Sequence, residues 1–238
     1  MAFPSWLPLG LALRDHYETG ERTQIRVHTV DGEITPYPSE LFFRSYADFS
    51  VMDELGCSMA RGRILDAGAG AGCISIFLQE EMGFEVTAID ISTHCCEIME
   101  DIGIKDVREG DIYALEGEQF DTILLLMNGI GFVGNLEGLQ RFLNHVKGLL
   151  APGGQVLFDT SDLKFADIGD ADLRANPEDY FGEVQYSLEY KGVRGKPYQW
   201  LYIDPEILRT YAEAAGFVMR IVLEADEGYY FVELTIAE

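Results

Sequence analysis

An acid followed by three glycines at alternate positions is the stretch of this sequence with the clearest chemical meaning. Asp66 follows the apolar pair Ile64–Leu65, and Asp66–Gly72 reads D-A-G-A-G-A-G before helix-like apolar periodicity begins at Cys73. A buried strand, a glycine-rich turn and a helix form the entry of a nucleotide-binding α/β unit, because glycine tolerates positive φ and close approach of a ligand. The first N–H groups of the new helix point to the same place.

The spacing of the glycines bears on the kind of nucleotide. A dinucleotide fingerprint, G-x-G-x-x-G, needs its third glycine at position 73 or 75, where Cys73 and Ser75 stand. The spacing therefore argues against a dinucleotide. A tight turn that binds no ligand remains an alternative for this stretch alone.

A second acid stands about 20 residues past the glycine turn. The apolar run Phe84–Asp90 predicts a second buried strand that ends in Asp90. At this distance an acidic side chain can accept hydrogen bonds from both ribose hydroxyls of a nucleotide. The alternative is that Asp90 is the N-cap of the following helix, which we expect over Thr93–Asp101.

Two further strand ends carry polar residues. Asp111 follows the short strand predicted at 106–109, and Asn128 follows the strongly apolar strand predicted at 120–127. Ligands of open α/β sheets bind outside the carboxyl ends of the strands. We therefore expect one rim to carry four polar residues: Asp66, Asp90, Asp111 and Asn128.

Glycines at 129, 131 and 134 leave the loop after Asn128 almost bare of side chains. The backbone there could approach a cofactor or substrate closely. A purely structural loop is the alternative.

The remaining elements follow from periodicity. A helix is predicted over 136–150, a strand at 155–159, a helix over 205–215 capped by Asp204, and two closing strands at 217–223 and 229–236. Between them, 162–179 is an acidic loop, and two period-two runs flank the turn 191–196. These runs predict a β-hairpin over 180–203, either an insertion that covers the substrate or an antiparallel extension of the sheet edge.

The D-x-G-x-G-x-G stretch resembles motif I of the class I S-adenosylmethionine (SAM)-dependent methyltransferases. The run L-L-A-P-G-G-Q-V-L-F-D at 149–159 is similar to the corresponding turn and strand of that family. The resemblance extends from about residue 62 to the C-terminus, apart from the hairpin. With Phe42-Phe43-Arg44 included, the whole chain resembles bacterial small-molecule methyltransferases of unassigned substrate.

The resemblance implies an α/β fold with a Rossmann-like sheet of seven strands, mostly parallel and closed by an antiparallel C-terminal pair, plus the inserted hairpin. It implies a single domain over 1–238. Residues 1–61 would form a helical cap over the mouth of the cofactor site, and the hairpin at 180–203 is a possible lid.

The implied cofactor is SAM, with S-adenosylhomocysteine (SAH) as product. In the family the glycines make room for the methionine part, and the residue matching Asp111 faces the adenine amino group. The cofactor contacts expected on this basis are Asp66, Ala67, Gly68, Ala69, Gly70, Gly72, Asp90, Ile91, Asp111, Ile112 and Asn128. The acceptor contacts expected are Arg44, Tyr46, Asn128 and Gly129. No residue is identified as a catalytic base.

Composition limits the partners. The formal net charge is −24, which repels phosphate backbones and anionic membranes, so a small-molecule acceptor is expected rather than nucleic acid or a membrane surface. Four cysteines and four histidines show no metal-ligand spacing, so no metal site is expected. The N-terminus lacks a basic region ahead of its apolar residues, and a cytoplasmic protein is expected.

Two other functions fit parts of this pattern. One is a nicotinamide-dependent oxidoreductase, which would need the glycine that Cys73 replaces. The other is a non-catalytic SAM-binding regulatory module, which would share every cofactor residue. The oligomeric state is open, as are the acceptor and the atom that is methylated.

Overall fold

The computed structural model describes residues 3–166 and 172–237. The helices in these ranges are α1 (Leu7–Thr19), α2 (Val51–Met59), α3 (Cys73–Glu80), α4 (Thr93–Asp101), α5 (Leu136–Leu149) and α6 (Pro205–Ala214). The strands are β1 (Gln24–Thr29), β2 (Ile34–Pro38), β3 (Arg63–Ala67), β4 (Glu85–Asp90), β5 (Asp106–Glu109), β6 (Phe120–Leu125), β7 (Leu150–Ser161), β8 (Glu183–Tyr190), β9 (Val193–Arg194), β10 (Tyr198–Leu201), β11 (Phe217–Glu224) and β12 (Tyr229–Ile236).

Seven strands form the main sheet, in the order β11-β12-β7-β6-β3-β4-β5. The strands from β3 to β7 run parallel, and β12 is antiparallel to both β7 and β11. The predicted fold class is therefore confirmed, including the antiparallel pair at the C-terminal end.

The central strands are apolar on both faces because helices cover both sides of the sheet. Ile123 of β6 packs in a core with α5 and α6, while its neighbour Leu124 packs in a second core with α2 and α3. This alternation buries every side chain of β6 except Asp121. No helix within the described ranges combines the length and hydrophobicity needed to span a membrane.

A second sheet of five strands has the order β10-β8-β1-β2, with β9 paired to β8. The prediction that 1–61 is helical is therefore wrong for β1 and β2. The polar side chains of this segment alternate as in a strand: Arg26 and His28 point to one face of β1 and bond to Glu189 of β8, at 3.2 and 3.0 Å. Opposite charges on adjacent strands stabilise such a pairing.

The predicted hairpin is present, since β8 and β10 pair antiparallel with Tyr186 opposite Tyr198. It is not free-standing, because β8 also pairs with β1. Helix α1 packs on this smaller sheet through Ala12 and on α4 through Leu13. Of the predicted acidic loop 162–179, residues 167–171 lie outside the described ranges.

The smaller sheet meets the main sheet at the loop that follows β6. A Cβ on Gly131 would collide with the indole ring of Trp200 in β10, so only glycine fits there. Asn135 also donates to Gln199 at 3.1 Å, and Glu183 of β8 accepts from the backbone N–H of Leu136 at 2.8 Å. This junction fixes the smaller sheet beside the carboxyl ends of the main strands.

Replacing Gly131 tests this junction. Gly131→Ala should lower the free energy of unfolding by about 1–3 kcal/mol, because the added methyl group forces Trp200 out of its contact. Urea unfolding measures the change. The control is Gly148→Ala in α5, where a Cβ meets no atom within 4 Å and where alanine should be neutral or stabilising by up to about 1 kcal/mol. Equal stabilities for the two variants would contradict the proposed contact.

Candidate functional site

The turn after β3 has the backbone that its glycines predict. Gly68, Gly70 and Gly72 all have positive φ, of 76°, 59° and 83°. A Cβ on Gly72 would meet Met99 and Ile104, so that glycine is needed for packing. At Gly68 a Cβ would meet no atom within 4 Å, so this position borders open space at the end of the sheet.

Asp90 ties this turn to the next helix. Its Oδ2 accepts from the N–H of Gly70 at 3.0 Å, and its Oδ1 accepts from the N–H of Ser92 at 2.8 Å. The N-cap of α4 is Ser92, so the alternative role of Asp90 as that cap is wrong. Burial raises the pKa of Asp90, and the N–H groups of Ser92 and Gly70 oppose that shift.

Asp66 lies beneath the turn rather than at its surface. Its side chain is only 4% exposed, and its Oδ2 accepts from the Ser75 hydroxyl of α3 at 2.5 Å. Burial raises its pKa to about 6, which the Ser75 hydrogen bond opposes. The carboxylate therefore braces the glycine turn against α3.

The other predicted cofactor residues lie on the same edge. Asp111 is exposed and caps a single 3-10 turn, Ile112–Ala114, by accepting from the N–H of Tyr113 at 3.0 Å. Ile112 is buried, and its carbonyl lies 2.9 Å from His145 Nε2 of α5. Ile91 is 48% exposed directly after Asp90. Their contacts with a cofactor stay predictions.

Asn128 has an unusual backbone. Both Met127 and Asn128 have a φ of 60°, a backbone conformation that residues other than glycine seldom adopt. The N–H of Asn128 donates to Asp159 Oδ2 at 2.8 Å, which stabilises the turn. Such strain gathers at functional sites, where the surrounding structure holds it in place.

Asp159 is the site residue that sequence reasoning missed. It lies near the end of β7, it is 5% exposed, and its Oδ1 has no hydrogen-bond partner, like Oδ1 of Asn128. Burial raises its pKa to about 6, against the opposing hydrogen bond from the N–H of Asn128. The available signal was an acid at the end of an apolar strand, which is the same signal that marked Asp90.

The predicted acceptor residues have protein partners. Arg44 donates to both oxygens of Asp53, at 2.7 and 3.2 Å, and Asp53 is only 1% exposed. Tyr46 is 54% exposed and stacks on Phe77 of α3, with ring centres 4.6 Å apart. Arg44 and Tyr46 also border a recess of about 350 Å³ beside Cys73. A Cβ on Gly129 would face Leu125. Their contact with an acceptor stays a prediction.

Across residues 3–166 and 172–237, no group of three or more His, Cys, Asp or Glu side chains is placed to hold a metal ion.

The raised pKa of Asp66 predicts a pH effect on stability. A buried acid with a raised pKa holds its proton more firmly in the folded state than in the unfolded state. The contribution of Asp66 to the free energy of unfolding is therefore fully present below about pH 4 and is lost as pH rises through about 6. Asp66→Asn stays neutral. The free energy of unfolding of Asp66→Asn, taken relative to that of the wild type, should therefore rise by about 2–3 kcal/mol between pH 4 and pH 7. Urea unfolding across this range measures the difference, and a pH-independent difference would contradict it.

Comparisons with known proteins agree with this geometry. A family model described as a methyltransferase domain matches residues 43–221. The solved structure of a SAM-dependent methyltransferase from Bacteroides fragilis, in complex with SAH, is 36% identical. It superposes with a TM-score of 0.88 and covers 100% of this chain and 98% of that one.

Two other similar proteins share less with this chain. The CcbJ methyltransferase of Streptomyces caelestis has a TM-score of 0.66 at 14% identity over 97% of this chain and 98% of its own, which shows a common fold. A Bacillus subtilis protein with a provisional methyltransferase name, YqeM, is 32% identical over 118 residues. That match spans 45% of this chain and 46% of YqeM, so it covers less than half of that relative.

The family model covers more than half of the chain, and the Bacteroides structure matches it from end to end. The chain therefore belongs to the SAM-dependent methyltransferase family, whose members take their methyl group from SAM and release SAH.

Proposed function

We propose that this enzyme methylates an O, N or S atom of a small molecule at the rim where β3, β4, β6 and β7 end. The observation that carries the proposal is the pairing of Gly68, which borders open space, with the Asp90 carboxylate that holds the same turn. The net charge of −24 supports a small acceptor, because nucleic acids and anionic membranes would be repelled.

The residues present fit the cofactor. Each oxygen of Asp90 accepts one backbone N–H, and a carboxylate oxygen has a second lone pair, so both can still accept from ribose hydroxyls. The open side of Gly68 suits the methionine part of SAM. The exposed carboxylate of Asp111 suits the adenine amino group, with Ile91 and Ile112 flanking the ring.

Bound SAM supplies an electrophilic methyl group on a positively charged sulfur, which leaves without needing a proton. The protein therefore contributes mostly by holding and aligning the reactants and by excluding water. Asn128 suits the role of orienting the acceptor, because it follows β6, which lies between β3 and β7 in the sheet, and its N–H donates to Asp159.

The smaller sheet suits the role of a cover over the acceptor. Its strand β10 packs on the loop after Asn128 through Trp200 and Gly131. This includes the hairpin at 180–203 that the sequence suggested as a lid, but β1 and β2 belong to the same sheet. We propose that the cover is the whole sheet rather than the hairpin alone.

A cytoplasmic location is also proposed. The four cysteines are free thiols, and three of them are buried. Reduced thiols are the usual state of cysteine in the cytoplasm.

Asp90→Asn tests the ribose contact. An amide keeps one acceptor for the backbone but loses the charge, so SAH affinity should fall by about 1.5–3 kcal/mol, or roughly 10- to 150-fold. Titration calorimetry measures it. The control is Asp121→Asn, which removes a carboxylate from the opposite, amino end of β6 and should leave SAH affinity within about twofold. Unchanged affinity in a folded Asp90→Asn variant would rule out the contact.

The acceptor class is tested by turnover of SAM that carries a labelled methyl group. The purified enzyme is offered pooled small metabolites, total RNA and DNA in parallel. We expect label in a small molecule, identified by mass spectrometry. Label incorporated into nucleic acid would refute a small-molecule acceptor.

A further inference from the structure

Asp159 combines burial with an unused hydrogen-bonding atom. Its Oδ2 accepts from the N–H of Asn128 at 2.8 Å, while its Oδ1 is buried and has no partner. A buried carboxylate oxygen without a donor is costly, because its hydration is lost and nothing replaces it. The site is therefore complete only when a donor reaches Oδ1.

A second acceptor atom lies close by. Asn128 Oδ1 is also buried and without a partner. Because the N–H of Asn128 is bonded to the Asp159 carboxylate, the two side chains occupy one small region. A ligand that complements two acceptor atoms must bring N–H or O–H groups of its own.

Tyrosines extend from this region to the smaller sheet. Burial raises the pKa of the Tyr37 hydroxyl in β2; the charge of Arg44 opposes this shift, and that of Asp159 adds to it. On the same sheet the ring centres of Tyr186 and Tyr198 are 6.3 Å apart, and the Tyr186 hydroxyl lies 3.4 Å from that of Tyr202, which directly follows β10. Electron-rich ring faces such as these attract cations.

The local charge favours the same kind of ligand. Arg44, whose charge acts on Tyr37, has both of its terminal nitrogens bonded to Asp53. In the described part of the chain, no lysine or arginine forms an ion pair with Asp159. The Asp159 carboxylate is thus left without a protein counter-ion, in a chain of net charge −24.

We propose that the methyl acceptor is a small molecule with a primary or secondary amine, that its ammonium group lies between Asp159 and the tyrosines, and that Asp159 Oδ1 takes its proton. This inference rests on the methyltransferase function proposed above. It narrows the acceptor atom from O, N or S to nitrogen. An alcohol or thiol would supply one donor but no charge to balance Asp159.

The proposed proton and methyl transfers conserve atoms, electrons and charge. One N–H bond of the ammonium breaks, an O–H bond forms at Asp159 Oδ1, and nitrogen keeps the electron pair as its lone pair. That pair forms the new C–N bond while the C–S pair stays on sulfur, so the positive charge passes from sulfur to nitrogen. Asp159 is then a catalytic residue, and Asn128 positions its carboxylate through the backbone hydrogen bond.

The test compares matched probes on the full-length protein saturated with SAH. Calorimetry at pH 8 measures the binding of benzylamine against benzyl alcohol, cyclohexylamine against cyclohexanol, and piperidine against tetrahydropyran. In at least one pair we expect the amine to bind tenfold or more tightly than its neutral partner. Equal affinities in every pair, or no amine binding at all, would overturn the proposal.

Asp159→Asn is the decisive variant, because it is isosteric and keeps an acceptor for the N–H of Asn128. It should abolish the amine preference and leave SAH affinity within about twofold, whereas Asp121→Asn should change neither. An amine preference that survives in Asp159→Asn, or labelled methyl groups found on oxygen or sulfur, would refute the role of Asp159. Failure of the wild type to bind SAH would instead defeat the proposed function itself.

Discussion

The hydrogen bond from the Gly70 N–H to the Asp90 carboxylate is the contact on which the rest of this site depends. It joins the turn after β3 to the end of β4, and the second oxygen of Asp90 reaches the start of α4 through Ser92. One side chain thereby fixes three backbone segments at the edge of the sheet. The turn can be held this way only because its glycines adopt positive φ without strain.

The two sheets contribute different parts of the proposed site. The ends of β3, β4 and β5 in the main sheet carry the residues that we propose bind the cofactor. The smaller sheet carries Tyr37, Tyr186 and Tyr198 and packs on the loop after β6 through Trp200 against Gly131. Because this junction leaves no room for a side chain at 131, the bare backbone at that position serves the packing of β10.

Two buried acids show how the environment separates similar residues. Burial raises the pKa of both Asp66 and Asp159 to about 6. Asp66 is bonded to Ser75 and stabilises the turn, whereas Asp159 keeps one oxygen free of protein partners. The free oxygen, rather than the shifted pKa, is what makes Asp159 available to a ligand.

The sequence by itself determined the main sheet, the order of its elements and the acid and glycine pattern of the cofactor rim, because strands, caps and turns depend on neighbouring residues. Thr93–Asp101 and Asp106–Glu109 were predicted to the residue, and Asp204 caps its helix as expected. The family was indicated by the resemblance of D-x-G-x-G-x-G to motif I, and Cys73, which stands where a dinucleotide fingerprint needs its third glycine, argued against the nicotinamide alternative.

Only the tertiary structure decided which distant residues meet. Arg26 pairs with Glu189 across more than 160 positions, and this pairing turned a segment expected to be helical into part of a second sheet. The same holds for Arg44, which Asp53 engages, and for Asp159, whose free oxygen depends on where Asn128 turns. Periodicity reports the local conformation of a strand, but its partner is fixed by packing and charge that no local pattern encodes.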